Sequence, residues 1–214
     1  MSDRPVFFPM LVNLQDKKCL VVGAGNVAAT KIAGLLLYGA QVKVVSPRAV
    51  PPIRELAKSG ALAWRQRSFS PRDVNVAFLV VAATNSTKIN DAVFRACARH
   101  GILCNCVDDP GRCNFIYPAV VRRGPLQIAI STAGRSPALA ARLRREFEEQ
   151  FNPEWSEWVE HLGALRRDLL GKRMSAAVRN TRLQKIASPD AFRAFVQERE
   201  KRQLTFPSGN FRSK

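Results

Sequence analysis

The sequence predicts an α/β fold: a parallel sheet with helices on both faces, then a small α+β module, then a helical module. Three observations carry this. Short apolar runs alternate with helical patterns through the first half of the 214 residues, the alternation breaks after Pro110, and the last third is helical in pattern and richly charged. An apolar content of 46% is enough for a folded core.

In order, "KKCLVVG" (17–23) reads as an apolar strand ending in glycine, and "NVAATKIAGLLLYG" (26–39) as a helix stopped by Gly39. "AQVKVVSP" (40–47) is a second strand closed by proline, and "AVPPIRELAKSG" (49–60) a helix with its proline pair at the start. "ALAWRQ" (61–66) is a weaker strand and "VAFLVVAAT" (76–84) a strong buried one. "STKINDAVFRACARHG" (86–101) is a helix ended by Gly101, and "ILCNCV" (102–107) a further strand. Beyond Pro110, "FIYPAVVRRGPLQIAIST" (115–132) reads as two antiparallel strands about a Gly-Pro turn at 124–125. "SPALAARLRREFEEQF" (136–151) is an amphipathic helix with Ser136 as N-cap and Pro137 at its first position. From Asn152 the apolar stripe Trp155, Trp158, Leu162, Leu165 and Leu169 has helical spacing and is read as packing, and the final eight residues as a tail. The expected modules are 1–113, 114–151 and 152–214.

Charge narrows the partners. The chain has 34 Lys and Arg against 17 Asp and Glu, a formal +17. The excess is dispersed, +11 over residues 1–150 and +6 over 151–214, so no isolated basic arm exists. Such a balance implies a polyanion: nucleic acid, an anionic membrane, or a small substrate with many carboxylates or phosphates. The N-terminus has no basic start followed by a sustained apolar core, and no run approaches the roughly eighteen apolar residues of a membrane span, so a cytoplasmic location is expected. Five cysteines are an odd count for a disulfide framework, which makes reduced thiols the default.

Gly23-Ala24-Gly25-Asn26-Val27-Ala28 carries the first chemical signal. This G-x-G-x-x-A pattern follows a strand and opens a helix, where glycines let backbone amides approach a pyrophosphate. The sheet is therefore expected to be Rossmann-like and to bind a dinucleotide. The acidic residue that usually holds the adenosine ribose is absent; Ser46-Pro47-Arg48 stands there, which leaves NAD against NADP open.

A second signal is "CNCVDDPGRC" (104–113), with three cysteines and two aspartates in ten residues. Cys104 and Cys106 share one face of a strand and Asn105 takes the other. The spacing matches no usual zinc pattern, so no metal site is expected and the cysteines are read as small buried side chains. Asp109, before Pro110, suits a turn, and Asp108 is the candidate working carboxylate. Only Glu55, Asp73 and Asp91 are acidic between Lys17 and Val107, so a carboxylate pair in this setting calls for a reason.

"PVFFPMLVNLQDKKCLVVGAGNVAATKIAGLLLYGAQVKVVSP", "VVAATN" and "CNCVDDPGRCNFIYPAVVRRGPLQIAISTAGRSPALAARLR" resemble the siroheme synthase N-terminal family of precorrin-2 dehydrogenases and sirohydrochlorin ferrochelatases. The likeness runs from about Pro5 to Phe151, and the remainder matches only in being helical. It implies NAD-dependent oxidation of precorrin-2 to sirohydrochlorin, followed in some members by insertion of ferrous iron, and a homodimer in which the module after the nucleotide domain is exchanged. The resemblance places Gly23, Gly25, Asn26, Val27 and Thr84 at the dinucleotide, with Pro47 and Arg48 at its adenosine end. It makes Asp108 the base for dehydrogenation and an aid to metal insertion, and sets Asn105, Arg112, Thr132 and Arg135 beside the tetrapyrrole; Arg122 and Arg123 flank the same pocket. Ala133 departs from the family's usual Gly-Gly. An octacarboxylate tetrapyrrole accounts for the +17 charge without nucleic acid or membrane. Outside this class, a basic nucleotide-sensing regulator of nucleic acid would need a helix-turn-helix or a concentrated basic face, and neither is evident.

Overall fold

In the computed structural model, which describes residues 6–205 and side chains through Arg202, the first unit is built on strand β1 (Lys18–Val22). It is flanked in parallel register by β2 (Gln41–Val45) and β4 (Leu79–Ala82). With β3 (Ala63–Arg65) and β5 (Leu103–Cys106) the sheet has the order β3-β2-β1-β4-β5, all pairs parallel. Parallel neighbours require crossovers, supplied by α1 (Asn26–Leu37), α2 (Pro51–Lys58) and α3 (Thr87–Arg99). Gly39 and Gly101 end α1 and α3 in the left-handed conformation, at φ +75° and +63°.

Strand alternation divides the core in two. Val21, Val44 and Val81 point toward α1 and α2 and pack with Ile32, Leu35 and Ile53. Leu20, Val22, Val80, Cys104 and Cys106 point the other way, onto Val93, Ala96 and Cys97 of α3. Both faces are covered, which is why β1 and β4 read as near-continuous apolar runs. The strand expected at 76–84 is shorter at its start, because a 3-10 turn at Pro71–Val74 delivers the chain late and leaves Val76 exposed.

Below the sheet one ion-pair cluster fixes the approach to β4. Asp73, 6% exposed, receives Arg67 through two nitrogens at 2.8 and 2.5 Å and the Ser70 amide at 2.9 Å, with Lys43 Nζ at 3.7 Å. The Arg67 hydrogen bonds hold the Asp73 carboxyl below the usual carboxylate range; burial opposes them, and Ser70 and Lys43 add to the lowering.

The chain divides into two units, Met1–Tyr117 and Pro118–Lys214. In the second, β6 (Ala119–Arg123) and β7 (Leu126–Ile130) form an antiparallel hairpin about the Gly124-Pro125 turn. Next comes α4 (Pro137–Gln150), whose N-cap Ser136 side chain accepts from Leu139 N at 3.3 Å. Arg123 donates to the Phe151 and Glu148 carbonyls at 2.6 and 2.8 Å, so it caps the end of α4. Three helices follow: α5 (Glu154–Gly171), α6 (Ala176–Ile186) and α7 (Pro189–Thr205). The apolar stripe buries Trp158 and Leu169, and Trp155 and Trp158 meet Phe192 and Phe195 of α7 at centroid separations of 4.5–5.8 Å. No helix among the described residues is long and apolar enough to cross a membrane. The start of the chain, read for targeting signals, and the tail from Pro207 lie outside the described residues.

Replacing Asp73 by Ala should cost about 2 kcal/mol in urea unfolding, the worth of hydrogen bonds to a charged group. Because the folded carboxyl binds its proton more weakly than the unfolded one, its contribution is complete above the unfolded pKa and disappears as pH falls through the folded value. Asp73→Asn should accordingly flatten the acid side of the stability profile. Ala133 sits at φ +50°, where an L side chain is strained. Ala133→Gly should raise stability by up to about 1 kcal/mol, read as a higher Tm.

Candidate active site

The carboxyl edge of the parallel sheet collects the loops after β1, β2, β4 and β5. The first two are tied together, since Gly23 N donates to Val45 O and Val50 N to Ala24 O, both at 3.0 Å. The loop after β4 approaches even closer. A Cβ on Gly23, at φ +103°, would lie 2.2 Å from the Ala83 carbonyl oxygen and 3.1 Å from Thr84 Cγ2. Only glycine fits there, on grounds of both space and conformation.

Gly25 has the opposite surroundings: a Cβ would meet nothing within 4 Å. It is the N-cap of α1 and offers no side chain to the first helical amides, while Asn26 and Val27 are exposed. An uncapped helix start beside an open space suits a pyrophosphate, so this cradle fits a dinucleotide. At the adenosine end, Ser46 is held by Trp64 Nε1 to its carbonyl at 3.0 Å and by its own Oγ donating to Arg48 O at 2.7 Å. Pro47 and Arg48 are exposed there, and no carboxylate stands in the Ser46-Pro47-Arg48 turn. Thr84 has an internal task. Its hydroxyl donates to Asn90 Oδ1 at 2.7 Å and accepts from Ser86 N at 3.2 Å, which fixes the loop into α3.

At the end of β5 the chain turns back along the sheet edge. Asn114 accepts from Cys104 N at 2.6 Å, and its side-chain amide donates to Ile102 O at 3.1 Å. Asn105 donates to Phe115 O at 3.1 Å and to Cys113 Sγ at 3.3 Å. The Cys113 thiol lies 3.2 Å from the Cys106 and Asp109 carbonyls, and burial pushes its pKa up. This reversal forces Asp108 to φ +61°, a conformation that Asp and Asn accept more readily than other side chains. Asp108 is exposed at the apex. Asp109 and Arg112 pair with each other, and Arg112 also reaches Asp91 at 3.1 Å.

The predicted residues thus take different positions. Gly23, Gly25, Asn26, Val27, Pro47, Arg48, Thr84 and Asp108 gather along one edge. Asn105 fastens the returning chain through its amide nitrogen, and Arg112 is engaged by two carboxylates. Thr132 and Arg135 belong to the second unit, where Thr132 Oγ1 accepts from Ser136 N at 3.0 Å ahead of α4 and Arg135 is exposed. Among the described residues no three His, Cys, Asp or Glu side chains gather to hold a metal ion, and Cys104 and Cys106 lie buried in the core.

Lys31 and Tyr117 form a contact that the sequence does not single out. The Lys31 ammonium stands over the Tyr117 ring, 4.1 Å from its centroid. A sequence sign existed, for Lys31 falls between buried Ala28 and Ile32 on the helix, yet one lysine on a helix is ordinarily a solvated group.

A family model described as "Putative NAD(P)-binding" matches residues 10–119, and one described as "Sirohaem biosynthesis protein central" matches residues 123–150. Siroheme synthase 1 of Yersinia enterocolitica is 44% identical over 142 residues, covering 66% of this chain and 30% of that protein. The siroheme synthase of Nitrosococcus oceani is 39% identical over 142 residues, with the same two shares, 66% and 30%. This chain therefore spans about 30% of the length of these relatives. The solved structure of SirC, precorrin-2 dehydrogenase, gives a TM-score of 0.75 at 27% identity, covering 91% of this chain and all (100%) of that one.

Two glycine variants separate fold from binding. Gly23→Ala should destabilise the protein and abolish dinucleotide binding together. Gly25→Ala should leave Tm nearly unchanged, since its Cβ enters open space, while weakening NAD binding at least tenfold by fluorescence titration.

Proposed function

This chain belongs to the siroheme synthase N-terminal family, and on that footing we propose that it oxidises precorrin-2 to sirohydrochlorin with NAD. The observation that carries this is the shared edge: an uncapped glycine-loop helix start and an exposed carboxylate, Asp108, at the carboxyl end of one parallel sheet. The SirC likeness, over 91% of the chain, supports the same reading.

Oxidation removes a hydride and a proton from the substrate. Bound NAD supplies the hydride acceptor. The chain supplies the rest. Amides at the start of α1, around Asn26 and Val27, orient the pyrophosphate, with Pro47 and Arg48 bounding the adenosine. The Asp108 carboxylate receives the proton, and its conformation, fixed by the strap of residues 113–115, keeps the group exposed toward substrate. The octacarboxylate tetrapyrrole finds a chain of net charge +17, with Thr132 and Arg135 among its contacts. Asn105 and Arg112, set beside the tetrapyrrole by the resemblance, act from behind, one holding the strap and one neutralising Asp109.

A second activity has a specific support: the relatives are named siroheme synthases, which favours subsequent insertion of ferrous iron as a substrate, with Asp108 accepting pyrrole protons. The proposal includes a cytoplasmic homodimer, residues 1–113 binding NAD, 114–151 forming an exchanged dimerisation module and 152–214 a helical module. Val6, Phe8 and Leu11, 97%, 83% and 78% exposed in the single chain, support association with a second copy.

Anaerobic mixing with precorrin-2 should give an NAD-dependent rise of sirohydrochlorin absorbance; tetrapyrrole binding without that rise would leave a chelatase or carrier. Asp108→Asn, which tolerates the same positive φ, should bind both ligands normally and lose at least about 100-fold in kcat. Full turnover in that variant would remove Asp108 as the base.

A further inference from the structure

Helix α1 begins at the dinucleotide cradle, and one turn further on it carries a cation with an unusual setting. Lys31 is half-buried, and burial lowers its pKa while the Asp108 carboxylate opposes that lowering. Its ammonium rests over Tyr117, whose ring packs edge-on against Phe115 at a centroid distance of 5.3 Å. Phe115 and Val107 pack on the same core as Ala28 and Ile32, so the residue before Asp108 and the two neighbours of Lys31 along the helix face share one cluster. Arg112 and Arg95 on the α3 side of the sheet are engaged, the first by Asp91 and Asp109 and the second by Asp91. None of the ion pairs among the described residues includes Lys31.

An aromatic face replaces part of an ammonium's hydration but uses few of its three N–H donors. Such a cation has donors ready for an incoming anion, and part of its desolvation is already met in the fold. We propose that Lys31 takes one carboxylate of the polyanionic substrate, contributing affinity for it from the nucleotide domain. This rests on the tetrapyrrole reading above and adds to it a specificity residue on the nucleotide domain itself. Tyr117 is the positioning partner, holding the ammonium in place before substrate binds.

The test uses Lys31→Met, which keeps the aliphatic stem over Tyr117, and Lys31→Arg, which keeps the charge. Sirohydrochlorin binding, NAD binding, Tm and precorrin-2 kinetics are measured on each. In Lys31→Met the sirohydrochlorin Kd and the precorrin-2 KM should rise about tenfold, as for loss of one charge-assisted hydrogen bond, with kcat within about twofold. NAD affinity should be unchanged and Tm equal or higher, because a half-buried charge has gone; Lys31→Arg should bind within about threefold of wild type. Unchanged tetrapyrrole affinity in Lys31→Met overturns the assignment, as does loss of NAD affinity instead. If Lys31→Met folds poorly, Lys31→Gln is read against the same expectations. A wild-type protein that binds NAD but no tetrapyrrole overturns the parent reading along with this one, whereas wild-type turnover with an indifferent Lys31→Met overturns this one alone.

Discussion

The fastening of residues 113–115 along the outer edge of β5 is the constraint from which the rest of the candidate site follows. An edge strand leaves backbone groups unpaired, and a parallel sheet ending at β5 has such an edge beside its ligand side. Asn114 covers Cys104 N and Ile102 O with its side chain, and Asn105 reaches across to Phe115 O. The chain must reverse between Val107 and Cys113 to make these bonds. That reversal puts Asp108 into a left-handed conformation, and the same return path carries Tyr117 to Lys31.

Charge in this protein is divided between structure and function. Acidic residues are scarce in the first unit, and Asp73, Asp91 and Asp109 are each committed to arginines. Those pairs fix the approach to β4 and the turn after β5. Asp108 at the apex and Lys31 on α1 are in none of these pairs. The remaining basic excess is dispersed along the chain and acts as a long-range field, which attracts a polyanion without specifying its pose.

The glycine-loop motif shows how one residue type answers two demands. Gly23 is required by the protein itself, because the Ala83 carbonyl fills the volume of a side chain. Gly25 is different: a side chain there would meet nothing within the protein, so the space beside the start of α1 stays open. Ala133 reverses the pattern, carrying a side chain in a conformation that suits glycine.

The fold was legible in the sequence because its signals are local: short apolar runs at β1, β2 and β4, glycine stops at 39 and 101, and a Ser136-Pro137 helix start all act within a few residues. The dinucleotide cradle was legible for the same reason, since Gly23 to Ala28 are contiguous. Asp108 could be singled out, but not its positive φ, which depends on hydrogen bonds to residues as far away as Phe115. Only the tertiary structure showed that Arg112 and Arg123 are occupied, one by Asp91 and Asp109 and the other by the end of α4. The roles of Asn105 and Asn114, and the meeting of Lys31 with Tyr117 across 86 positions of chain, were likewise decided there. The physical reason is common to all of them: a polar side chain's partner is set by the packing of distant segments, and neither periodicity nor composition records it.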